Sequence, residues 1–84
     1  MNLHSYLKEV GQGDMHHQDV GLILQAAAAH AILSRCNTHS DEDAYERQYW
    51  SSVAAKVEAK MTAPVKQVHD EYVDFRGFRR IAQN

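Results

Sequence analysis

The apolar positions of this chain recur at helical spacing, and no stretch shows the alternation of a half-buried strand. The most informative stretch is VGLILQAAAAHAILSRC, from Val20 to Cys36. With successive residues ~100° apart around a helix, Val20, Ile23, Leu24, Ala27 and Ala31 share one face. Leu22, Ala26, Ala29, Ile32, Leu33 and Cys36 share roughly the opposite face. Thin polar seams part them, Asp19, His30 and Ser34 on one side and His17, Gln25 and Arg35 on the other. The pattern predicts a helix from about Met15 to Cys36 with Asp14 as its cap. Its apolar surface lies on two sides, and the alanine run both favours the helix and lets a neighbouring backbone come close.

Three further helices follow from the same spacing. A short one is expected over Leu3 to Val10, with Leu3, Leu7 and Val10 on one side, Gly11 as its stop and GQGD as a loop. A third starts behind Thr38 or Ser40 and runs to about Met61. Asp41, Glu42 and Asp43 in its first turn suit the positive end of the helix dipole. Its stripe is Tyr49, Trp50, Val53, Ala54, Val57 and Met61. Pro64 then disfavours helical geometry at Ala63 and suits the first turn of a new helix capped by Thr62. One long helix kinked at Pro64 is the alternative. The fourth helix spans about Ala63 to Arg80 with the stripe Val65, Val68, Tyr72 and Phe75, and Gly77 either ends it early or weakens it. The expected fold class is therefore all-α: a small helical bundle of three main helices plus a short N-terminal one, forming a single domain over residues 1–84.

Coverage of the second helix sets the expected assembly. The stripes of the third and fourth helices suffice for one face. The short first helix offers too few apolar residues for the other. A second copy of the chain, packed through Leu22, Ala26, Ala29, Ile32 and Leu33, would hide it in a symmetric dimer. A groove on a different protein, or a central place in a compact monomer, would serve as well.

Composition narrows the class of function. At 84 residues, 44% hydrophobic and 24% charged, the chain is an ordinary small globular domain rather than a low-complexity one. The net charge of -2 gives no support to a general nucleic-acid coat. The single cysteine, Cys36, cannot form an internal disulfide, which favours a reducing compartment. The N-terminal segment lacks the basic and apolar regions of a signal peptide, and no apolar run reaches the ~20 residues of a membrane span. A cytoplasmic protein with no membrane contact is expected.

Candidate chemistry is sparse. Cys36 and His39 have a metal-like spacing, yet zinc needs about two more ligands and no second pair stands nearby in sequence. No serine elbow or phosphate loop occurs, and Asp70 and Asp74 read as a solvated helix face. No catalytic residue, metal or cofactor is therefore assigned. His30, inside the alanine run, reads as a seam residue, hydrogen-bonded or partly wet. Tyr45 and Tyr49 form, with Trp50, an aromatic cluster beside an acidic run, the composition of a binding hot spot. Arg76, Arg79 and Arg80 interleave with Phe75 and Phe78 and suit phosphates, an acidic protein surface or the end of the helix dipole. The function expected from these residues is that of a non-enzymatic protein-binding regulator, adaptor or inhibitor. It would work as a homodimer and contact its partner through Tyr45, Tyr49, Arg76, Arg79 and Arg80. Nucleic-acid binding through the arginine cluster is the alternative.

Overall fold

A computed structural model describes residues 2–35 and 41–78. They form α1 (Leu3–Glu9), α2 (His17–Arg35), α3 (Asp41–Glu58) and α4 (Ala63–Arg76), with no strand among the described residues. The architecture is the expected all-α bundle. Each boundary has a local cause. Asn2 caps α1 by accepting the Ser5 N–H at 2.9 Å. The helix ends where Gly11, at φ 79°, lets the Gln12 N–H turn back to the Leu7 carbonyl at 2.7 Å. α2 starts at His17 rather than Met15. In the place foreseen for Asp14, His16 Nδ1 accepts the Gln18 N–H at 3.1 Å.

The break before α4 is real, so the kinked-helix alternative is set aside. α3 ends at Glu58, short of Met61, and Pro64 sits in the first turn of α4 behind an extended Thr62. α4 stops at Arg76, well before Arg80, because Gly77 adopts φ 75°. The Phe78 N–H then bonds the Val73 carbonyl and the Gly77 N–H the Asp74 carbonyl. These are the paired bonds of a Schellman end.

Both apolar faces of the two-sided α2 bury residues within its own chain. Ile23 and Ala27 join Leu3, Tyr6 and Leu7 of α1 and Val65, Val68, Tyr72 and Val73 of α4 in the main core. Ala26 and Ala29 are fully buried outside that cluster, Ala54 and Val57 of α3 are buried too, and α2 makes its most extensive contact with α3. Small side chains at all but one of these positions allow the two backbones to approach closely. This reverses the expected division of labour: α1 sits on the Ile23 face with α4, while α3 covers the alanine face. Leu24, assigned to the core by periodicity, is 56% exposed.

The seam of Asp19, His30 and Ser34 falls between these two buried faces. A polar residue there points at the junction of α3 and α4 and must find partners inside the bundle.

Candidate functional site

His30 meets that requirement through Glu58. Its Nε2 lies 3.0 Å from Glu58 Oε2, and both side chains keep a small opening to solvent. Glu58 Oε1 lies 3.3 Å from Lys66 Nζ and 4.0 Å from His69 Nδ1. Lys66 Nζ also donates to both Asp70 carboxylate oxygens at 2.9 Å. One turn of helix separates Lys66 from Asp70, the spacing at which opposite charges meet on one face. Three helices thus converge on one carboxylate: His30 from α2, Glu58 from α3, and Lys66 with His69 from α4.

His69 is the most constrained member, with no solvent exposure. Its Nδ1 stands 2.9 Å from Asp70 Oδ1. An ionised carboxylate only accepts, so Nδ1 carries the proton. Burial pushes the imidazole below its ordinary value, outweighing the hydrogen bond to Asp70 and the charges of Glu58 and Asp70; His30 acts in the same downward direction as burial. The neutral ring leaves an Nε2 lone pair that is buried with no hydrogen-bond partner. On Lys66 the hydrogen bond to Asp70 dominates and raises its affinity for the proton. The His30 and His69 rings stand 5.5 Å apart.

A second feature lies on α3. Tyr45 is 71% exposed and Tyr49, one turn later, 52% exposed. Periodicity placed Tyr49 in the core stripe with Trp50. In the structure Trp50 turns inward to a half-buried position, and Tyr49 packs edge-on against it at 5.1 Å while facing solvent. The two tyrosines, Gln48, Ser52, Val53 and Lys56 line a shallow open groove. Asp41, Glu42, Asp43 and Glu46 continue it as an acidic surface at the start of the helix.

The other predicted residues are more scattered. Of the expected self-association set, Ala26 and Ala29 are sealed inside the chain, and Leu22, Ile32 and Leu33 are half-buried. The need for a second copy to cover the alanines is thereby removed. Arg76 bonds the Tyr72 hydroxyl at 2.9 Å and lies 5.0 Å over the Phe78 ring, held against its own chain end. Phe75, expected in the core, is 56% exposed. Arg79, Arg80, Cys36 and His39 lie outside the described residues.

Sequence reasoning missed Glu58 and His69 and treated His30 in isolation. The signal was present: His30 stands in the seam between two apolar faces, His69 interrupts the stripe of α4, and Glu58 flanks that of α3. What periodicity lacked was the rotation of each helix that makes the interruptions coincide.

The chain matches no protein-family model, no curated protein and no solved structure. No described helix is long and apolar enough to cross a membrane.

Proposed function

We propose that this chain is a small non-enzymatic protein-binding regulator that acts through the exposed edge of α3 and works as a homodimer. The observation that carries the reading is the pair Tyr45 and Tyr49, largely exposed, one turn apart and propped by Trp50. Tyrosines held on a helix surface present large contact area at low entropic cost and are enriched in binding hot spots. The adjoining Asp41, Glu42 and Glu46 suit a partner protein whose contact surface has a basic rim, which would also speed association. The part of the expected self-association face left open to a second copy is Leu22, Ile32 and Leu33, half-buried beside the sealed Ala26 and Ala29.

A second reading, nucleic-acid binding at the C-terminus, draws on Phe75, whose exposed ring lies next to Arg76 and is available for stacking. Size-exclusion chromatography with light scattering and absorbance at two wavelengths separates the readings. The proposal predicts twice the chain mass with a protein-like absorbance ratio, and a shift to one chain in Ile32→Arg. A single-chain mass overturns the homodimer. Co-eluting nucleic acid lost on Arg76→Glu exchange would move the second reading to first place.

A further inference from the structure

We infer that His30, Glu58 and His69 form a binding site for a divalent transition-metal ion of the zinc class. Among the described residues, these three each bring one ligand atom to a place where all lie within 4.8 Å of one another. Zinc bonds of about 2.0–2.2 Å in tetrahedral geometry set neighbouring ligand atoms roughly 3.3–3.6 Å apart. The 3.0 Å between His30 Nε2 and Glu58 Oε2 and the 4.8 Å outer limit bracket that spacing, so closure needs only side-chain adjustment. Two imidazoles and one carboxylate are donors that suit zinc, and three protein ligands leave a fourth position for water.

Two further observations point to a ligand. The first is the orphaned His69 Nε2. A buried nitrogen without a partner is costly in a packed interior, and with Nδ1 turned to Asp70 the free lone pair of the ring is on Nε2, the kind of donor a metal takes. The second is charge. The Glu58 carboxylate sits between the two rings, 3.0 Å from His30 Nε2 and 4.0 Å from His69 Nδ1, with the Lys66 ammonium at 3.3 Å. The ligands come from α2, α3 and α4, so an ion there would tie together three helices that otherwise share small side chains and few long apolar ones. His30 and Glu58 keep partial solvent access and provide the way in. Lys66 is the competitor: its ammonium already neutralises Glu58 Oε1, but its side chain is 37% exposed and free to withdraw along Asp70.

The test is a calorimetric titration of zinc into the full chain, freed of any histidine tag. His16→Ser and His17→Ser form the background, because those exposed, stacked rings are a second pair of imidazoles open to adventitious metal. The expected result is one zinc per chain and a melting midpoint that rises with zinc. Glu58→Gln and His30→Gln, each checked for helicity, weaken binding by at least about tenfold. Lys66→Met tightens it, which a purely structural role for Lys66 does not predict. Cobalt in place of zinc gives the visible bands of tetrahedral coordination. No uptake, or uptake unchanged in both Glu58→Gln and His30→Gln, overturns the assignment.

Discussion

His30 Nε2 meets Glu58 Oε2 at 3.0 Å, and this contact joins the polar seam of α2 to the end of α3. Glu58 is also the acceptor nearest Lys66 across the α3–α4 junction. Replacing it with leucine strands His30 and removes one partner from Lys66. The expected cost is about 1–3 kcal/mol, with Glu58→Gln less harmful because an acceptor oxygen survives. Urea unfolding followed by circular dichroism measures both.

Acid sensitivity follows from His69. Burial holds its folded affinity for the proton below the ordinary value of 6.5, so the unfolded chain binds the proton more readily. The contribution to stability is therefore complete above the unfolded value and falls as pH drops through it towards the folded one. Asp70 and Glu58 oppose the fall and His30 adds to it, and together they set how far below the folded value lies. Melting curves between about pH 7.5 and pH 5.5 should show a loss of stability that is shallower in His69→Gln.

The rotation of α2 has a direct test in two neighbours. Ile23 is fully buried and Leu24 is mostly exposed. Ile23→Val should cost about 0.5–1.5 kcal/mol. Leu24→Ala should stay within about 0.5 kcal/mol in a monomeric sample. The opposite order would mean that α2 is turned the other way.

Glycines give an internal control on the backbone. A Cβ at Gly11 or at Gly21 meets nothing within 4 Å. Gly11 has φ 79°, whereas Gly21 lies inside α2. Gly11→Ala should therefore destabilise by about 1 kcal/mol, and Gly21→Ala should stabilise by roughly 0.5–1 kcal/mol. Thermal melts report both, each kilocalorie corresponding to roughly 4–8 °C in a domain this size.

Much of this fold is legible in the residues. The helices and their glycine and proline punctuation follow from local chemistry, which acts within a few residues. The position of α1 does not. Leu3, Tyr6 and Leu7 fit the Ile23 face with α4, and nothing in their spacing says which face they choose. Tyr49 shows the same limit: it lies at the edge of a stripe, and only the closeness of α2 to α3, allowed by Ala26, Ala29 and Ala54, decides that Trp50 turns inward and Tyr49 does not. The histidine cluster was hidden for a related reason. Each member is an ordinary polar interruption in its own helix, and the site exists only in the packing of three.

Photo-crosslinking at single positions probes the docking edge of α3 most directly. Benzoylphenylalanine replaces Tyr45, Tyr49 or, as a control on an exposed position of α2, Gln18. The proposed docking face predicts one discrete protein adduct from positions 45 and 49 and none from position 18, with the yield falling at high salt as the acidic rim is screened. An adduct of twice the chain mass would place the second copy itself on α3. Equal labelling from all three positions, or no discrete adduct from 45 and 49, would contradict the claim that this edge binds a protein.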